Sequence, residues 1–180
     1  MGLSSFNLRS AAPADMAAIT EIYGHHVLTG LASYEEVPPP MAEMAARHAA
    51  LVERGLPYIV AETEGMIAAY AYAGPFRTRS AYRYTVENSV YVDQRFTRQG
   101  LGKILVHELI RLCTDQGFRQ MVAVIGGGHP ASIALHVACG FQEVGRLTGI
   151  GFKKEQWLDT VFMQRSLGVG NKSLPQPLKK

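Results

Sequence analysis

The stretch from Thr85 to Gly117 constrains this chain more than any other. Thr85 to Asp93 is rich in β-branched and aromatic residues and reads as a strand. A loop carrying Arg95, Arg98 and Gln99 follows, and Gly100-Leu101-Gly102 opens the strongest helical pattern in the sequence, with Leu101, Ile104, Leu105, Leu109 and Leu112 on one stripe. The first N–H groups of a helix have no intrahelical partner, and the helix dipole adds positive potential at that end. Phosphate oxygens are therefore favoured there. Glycine allows a pyrophosphate to approach the backbone, and Arg95, Arg98 and Lys103 supply charge around it.

Two better-known glycine motifs fail at this loop. A dinucleotide fingerprint needs a third glycine where Leu105 stands, and a P-loop needs Ser or Thr where Ile104 stands and glycine where Thr97 stands. NAD and ATP are excluded on that count, and the phosphate-loop logic survives.

The rest of the chain alternates between the same two periods. Residues 6 to 10 read as a short strand. Pro13 and Asp15 suit a first helical turn, and Met16, Ile19, Ile22, Tyr23 and His26 then recur on one face. Thr29 to Pro40 is a loop, and a second helix runs from Met41 to a stop at Gly55. Tyr58 to Glu62 and Met66 to Ala73 form a hairpin, which Gly74-Pro75 breaks, and Phe76 to Arg83 is a basic, aromatic loop. Met121 to Ile125 is a strand, Pro130 starts a helix that Gly140 ends, and Gln142 to Leu147 and Thr160 to Gln164 are strands with Gly149 to Trp157 as the loop between them. The pattern predicts a mixed α/β fold with one mostly antiparallel central sheet flanked by helices. Residues 1–167 form one domain, and 168–180 are expected to be a disordered tail without a chemical role.

Composition narrows the class. With 180 residues, 47% of them hydrophobic and 18% charged, the chain is an ordinary globular domain and too apolar for disorder. Its net charge of +3 is too mild to argue for nucleic acid and suits a small anionic ligand. No apolar run reaches the length of a membrane helix, and the residues from Met1 to Phe6 do not form a secretory leader. Cys113 and Cys139 make neither a disulfide framework nor a metal spacing, so a cytoplasmic location and no metal are expected.

Val90-Tyr91-Val92 followed by Arg98-Gln99-Gly100-Leu101-Gly102-Lys103 resembles the acetyl-CoA motif of the Gcn5-related N-acetyltransferase superfamily. Ala131-Ser132-Ile133-Ala134-Leu135-His136 and Gly140-Phe141 resemble its second CoA-side motif. Ala32 to Glu36, Pro75-Phe76-Arg77, Tyr82 to Val92 and Trp157-Leu158-Asp159 are similar to the phosphinothricin and methionine-sulfoximine acetyltransferases within it, and the similarity runs from about Leu8 to Leu167. It implies an N-acetyltransferase that uses acetyl-CoA on the α-amine of a small amino-acid analogue such as phosphinothricin, methionine sulfoximine or methionine sulfone. CoA would be held by Val90, Val92, Arg98, Gln99, Gly100, Leu101, Gly102, Lys103 and Ser132. Two positions depart from the family: Thr97 stands where it has Arg or Gln, and His129 where it has Asn. The first is expected to weaken CoA binding without abolishing it.

Acetyl transfer to an amine needs a base, an oxyanion donor and a proton for the thiolate. Glu87 is an acid inside an otherwise apolar strand, and burial would raise its pKa toward a useful range. The resemblance assigns it the base; an architectural pair with Arg77 or Arg83 is the other reading. His136 lies one helical turn past Ser132, where the superfamily often has a Tyr acid, so it stands either as proton donor or as a core histidine bonded to backbone. The resemblance implies Val92 N–H as oxyanion donor, exposed where parallel strands splay. For the amino acid, Arg77 and Arg79 match a carboxylate, Phe76 and Tyr82 can cover a side chain, and Tyr34, Glu35 and Trp157 could complete the pocket. Trp157 suits a dimer contact equally. A small-molecule amine, a homodimer, no nucleic acid and no membrane are the partners expected. A polyamine, antibiotic or protein N-terminus as acceptor, and a silent acyl-CoA-binding module, are the alternatives.

Overall fold

The computed structural model describes residues 6–179, so the reading of residues 1–5 lies outside the described residues. Seven strands, β1 (Asn7–Ser10), β2 (Tyr58–Thr63), β3 (Met66–Pro75), β4 (Thr85–Val92), β5 (Gln120–Gly126), β6 (Gln142–Lys153) and β7 (Gln156–Ser166), form one sheet in the order β1-β2-β3-β4-β5-β7-β6. The helices are α1 (Met16–Thr29), α2 (Met41–Glu53), α3 (Leu101–Asp115) and α4 (Pro130–Ala138). Every neighbouring pair is antiparallel except β4 and β5, whose parallel pairing is reached through the α3 crossover.

Each sheet face buries its own core. On one, Leu101, Leu105 and Leu109 of α3 pack with Val86, Met121 and Met163. On the other, Ile19, Ile22 and Tyr23 of α1 and Met44 of α2 pack with Val60 and Tyr70. Each large side chain buried in this way contributes about 1.5–3 kcal/mol relative to exposure. Because strand side chains alternate, Val86, Asn88, Val90 and Val92 of β4 face α3 and α4, whereas Glu87, Ser89 and Tyr91 face α1 and α2.

β4 and β5 pair only from Thr85 to Glu87 with Gln120 to Val122. Beyond that point β4 stays with β3 as far as Val92, and β5 stays with β7 as far as Gly126. A wedge-shaped gap therefore opens at Asn88 and widens toward the first turn of α3.

Three expectations are corrected. Gly74-Pro75 does not break β3: Pro75 pairs with Val86, and its missing N–H would point past the end of β2, where nothing waits to accept it. The loop expected from Gly149 to Trp157 is strand, turning only at Lys154 and Glu155, which both take left-handed φ. Gly145, Gly149 and Gly151 dilute the hydrophobic alternation of β6, and Gly151 is required because a Cβ there would stand 2.7 Å from the Tyr34 ring. Nor are residues 168–179 a free tail. Leu178 packs against the α3-side core, Lys179 N–H donates to Gln116 O, and Arg119 donates to Gly170 O and Leu174 O. A few apolar anchors and one arginine hold a segment whose Gly, Pro and Ser content suggested disorder.

Candidate active site

Asp93 caps a short turn after β4 by accepting from Arg95 N–H at 2.8 Å, and it pairs with the Arg95 guanidinium at 2.7 Å. The chain then takes left-handed φ at Arg98 (62°) and at Gly100 (80°), the residue that caps α3. The first N–H groups of α3, from Leu101 to Lys103, lack helical partners and point out of its end. No atom lies within 4 Å of where a Gly100 Cβ would sit, so this glycine answers the φ and leaves clear ground for an anion. Gly102 has a different reason: a Cβ there would stand 3.1 Å from Leu135 Cδ2, so glycine lets α3 and α4 approach. Arg98, Gln99 and Lys103 are exposed around the loop, and the Leu101 side chain is buried, which leaves only its N–H for a ligand. Thr97 turns its hydroxyl back to Gln94 O and brings no charge.

The wedge carries backbone groups suited to an amide-bearing arm. Asp93 N–H donates to Ala68 O on β3, so by antiparallel alternation the peptide groups of Val90 and Val92 point away from β3 and into the gap. His26 Nε2–H donates to Val92 O at 2.9 Å, tying α1 to that end of β4. Burial, acting against this bond, holds the His26 imidazole below its ordinary pKa. Periodicity placed His26 on the buried stripe of α1 and could not reveal this reach.

Glu87 is half-buried on the α1/α2 face, and burial raises its pKa while the nearby Arg77 charge partly offsets the rise. Among the described residues it makes no ion pair with Arg77 or Arg83. Val92 lies five positions beyond Glu87 on an extended strand, roughly 16 Å at about 3.3 Å per step. Val90 carries the nearer of these two gap-facing N–H groups to Glu87. Val92 N–H remains free for the arm.

His136 is buried. Its Nδ1 lies 2.8 Å from Ser132 O and its Nε2 lies 3.0 Å from Asn88 Nδ2. A carbonyl only accepts, so Nδ1 holds the proton and Nε2 is an acceptor. Burial lowers the imidazole's pKa, against the Ser132 bond, so the ring is neutral near pH 7 with its one proton committed to backbone. Of the two readings of His136, this geometry is the backbone-bonded core histidine. Ser132 contributes its carbonyl to that bond, and its side chain stands half-exposed on the first turn of α4.

The residues expected around the amine fall into two groups. Arg77, Arg79 and Tyr82, with Arg54 and Arg83, line a cleft of about 310 Å³ beyond the start of β4. Phe76 lies against both Arg77 (4.9 Å) and the Tyr82 ring (5.7 Å). No acidic side chain lines this cleft, and its four guanidiniums make no ion pair among the described residues. Tyr34, Glu35 and Trp157 lie elsewhere. The Tyr34 hydroxyl is bonded to Thr160 Oγ1 (2.7 Å), Asp159 O (3.0 Å) and Gly127 N–H (3.3 Å), so Tyr34 serves as a strut between the loop after α1 and β7. Glu35 pairs with Arg47 at 2.8 Å. Trp157 stands 71% exposed beside Phe152 near the tip of the β6–β7 hairpin, at the opposite end of the sheet from Arg77. Sequence reasoning missed a second cavity of about 260 Å³ on Glu87's side of the sheet, lined by Tyr23, Tyr58, Tyr70 and Tyr72 with Met44 and Arg47. Tyrosines at alternate strand positions and on a helix stripe read as core; only the tertiary fold gathers them around a space.

Known proteins share this arrangement. Residues 8–162 match the acetyltransferase (GNAT) domain. The chain is 50% identical over 163 residues to the phosphinothricin N-acetyltransferase of Alcaligenes faecalis, covering 90% of this chain and 83% of the relative. It is 39% identical to the L-methionine sulfoximine/L-methionine sulfone acetyltransferase of Salmonella typhimurium, over 89% of this chain and 94% of the relative. The crystal structure of a GNAT-superfamily phosphinothricin acetyltransferase from Sinorhizobium meliloti in complex with AcCoA superposes with a TM-score of 0.94 at 52% identity, covering 95% of this chain and 93% of that one. A strand splayed from its parallel neighbour, a phosphate-ready helix end beyond it and relatives of this closeness lead to one conclusion: the chain belongs to the GNAT acetyltransferases, with acetyl-CoA as its co-substrate.

Proposed function

We propose that this enzyme acetylates the α-amine of a small amino-acid analogue of the phosphinothricin, methionine sulfoximine or methionine sulfone type. The observation that carries the proposal is the cleft of arginines without ion pairs among the described residues, one of which, Arg77, acts electrostatically on the half-buried Glu87. A carboxylate anchored on a planar guanidinium brings its own α-amine toward a base, whereas a polyamine would meet only like charge. The names of the relatives in Alcaligenes and Salmonella support the same class.

In this reading the pyrophosphate of acetyl-CoA sits on the N–H groups of Gly100 to Lys103, with Arg98, Gln99 and Lys103 around it. The pantetheine arm enters the gap along Val92 and Val90, beside Ser132 and α4. Glu87, directly or through water, takes a proton from the ammonium. The neutral amine attacks the thioester carbon, and Val90 N–H receives the developing oxyanion. The C–S bond then breaks as the nitrogen gives up its second proton, which neutralises the departing thiolate to leave amide and CoA thiol, and Glu87 returns the first proton to solvent. His136 acts as a positioning residue for β4, since its only proton is held by Ser132 O.

The protein works as a homodimer in this account, in a cytoplasmic, reducing compartment that suits its two buried free thiols. Val144, Leu147, Ile150, Phe152 and Trp157 are exposed apolar side chains on the β6–β7 hairpin, and a second copy would cover them. Release of CoA thiol from acetyl-CoA, with methionine sulfoximine and then with its decarboxylated analogue as acceptor, tests the proposal. Thiol release with the amino acid and little with the amine is expected; the reverse order overturns it.

A further inference from the structure

Asn88 is the first residue of β4 beyond the last β4–β5 pair, Glu87 with Val122, and it is 6% exposed. Its carboxamide nitrogen must face His136, because His136 Nε2 is an acceptor while Nδ1 donates to Ser132 O. That fixes the amide's orientation and leaves Asn88 Oδ1 buried without a hydrogen-bond partner. An orphaned buried acceptor is destabilising, and an apolar residue of similar shape would avoid it.

The Asn88–His136 bond joins the two walls of the gap. β4 is one wall; α4, reached from β5 through residues 127–129, is the other. One side chain therefore sets how far the walls part at the apex. With the pyrophosphate at the start of α3 and the acyl carbon near Glu87, the arm runs back along β4 from Val92 toward Asn88, and the acyl group ends at that apex. This course rests on the Glu87 assignment above.

We propose that Asn88, clamped to His136, is the acyl-size gauge of the enzyme: its carboxamide is the end wall against which the acetyl methyl packs. A longer acyl chain must break the clamp or press methylenes against the unpartnered oxygen. One methylene in a fitted pocket discriminates by about 10- to 200-fold.

The test is calorimetric titration of acetyl-CoA, propionyl-CoA and butyryl-CoA into the full chain without any amine, which makes it independent of the acceptor's identity. The wild type should bind acetyl-CoA at least about tenfold more tightly than butyryl-CoA. Asn88→Ala, which shortens the wall, should reduce that ratio by about tenfold, chiefly through tighter butyryl-CoA binding. Asn88→Ser, smaller but still polar, should move the ratio in the same direction and serves if the alanine variant does not fold. A residue that only held the fold would weaken all three thioesters in parallel. Equal affinities in the wild type, or an unchanged ratio in a folded variant, overturns the gauge. Failure of methionine sulfoximine to release thiol from acetyl-CoA would overturn the amino-acid reading and leave the affinity ratio to decide the gauge.

Discussion

Glu87 and Asn88 are consecutive residues of β4 that look out of opposite faces of the sheet at the point where it begins to split. Glu87 faces the α1/α2 side without an ion pair among the described residues, and Asn88 faces α4 and holds His136 at 3.0 Å. Strand alternation gives this division at once: the carboxylate opens to one face and the carboxamide clamp to the other, side by side at the apex of the gap.

Substitution at the two glycines of the phosphate loop should separate their roles. Gly100→Val forces a β-branched residue to φ 80° and fills open ground in front of the α3 amides. Acetyl-CoA affinity should fall at least tenfold while the fold persists, and the affinity of the wild type should weaken with added salt. Gly102→Ala crowds the end of the Leu135 side chain and meets Val92 Cγ2 at ordinary contact, so it should change stability slightly and affinity little. Calorimetry on both variants checks the contrast; equal losses of affinity would contradict it.

Arg77 should show two effects at once. Loss of a charge-assisted carboxylate pair is worth about 1.5–3 kcal/mol, or roughly a 10- to 150-fold rise in the amino acid's KM in Arg77→Ala or Arg79→Ala. Arg77 also lowers a Glu87 pKa that burial has raised. Glu87 must be ionised to act as base, so activity rises as pH passes its pKa, and removing Arg77 should move that acidic limb of kcat/KM to higher pH. Acetyl-CoA affinity should stay near wild type. A pH profile of each variant, at fixed acetyl-CoA, measures both effects.

Tyr34→Phe should be a stability change with little kinetic effect. It removes a hydroxyl that serves Thr160 Oγ1, Asp159 O and Gly127 N–H, and Thr160 is buried. Stranding such groups costs about 1–3 kcal/mol. Denaturant unfolding should show that loss with the amino acid's KM unchanged; a large KM change would return Tyr34 to the acceptor pocket.

Much of this was legible in the residues. The strand-to-helix loop at Gly100, the alternation of Glu87 within an apolar strand and the arginines after Pro75 follow from local pattern and chemistry. What was not legible is what tertiary contact decides. Tyr34 reads as a pocket residue until its ring is found against Gly126 and Gly151. His136 has a proton-transfer reading in sequence, and its commitments to Ser132 and Asn88 need coordinates. Val92 looks like the oxyanion donor by motif, and only the course of β4 shows that Val90 N–H faces the same gap nearer to Glu87. The β6 glycines read as a loop because a bulged, exposed edge strand has no hydrophobic alternation to detect.

The most direct test of the account is the pH dependence of methionine sulfoximine acetylation by Glu87→Gln, which keeps the side chain's shape and removes the base. Turnover should fall by about 10²- to 10⁴-fold near pH 7. The deficit should shrink as pH rises and the amine loses its proton unaided, while acetyl-CoA affinity stays near wild type. A deficit that stays constant across pH, or a variant as active as the wild type, would contradict Glu87 as the base and with it the chemistry assigned to this site.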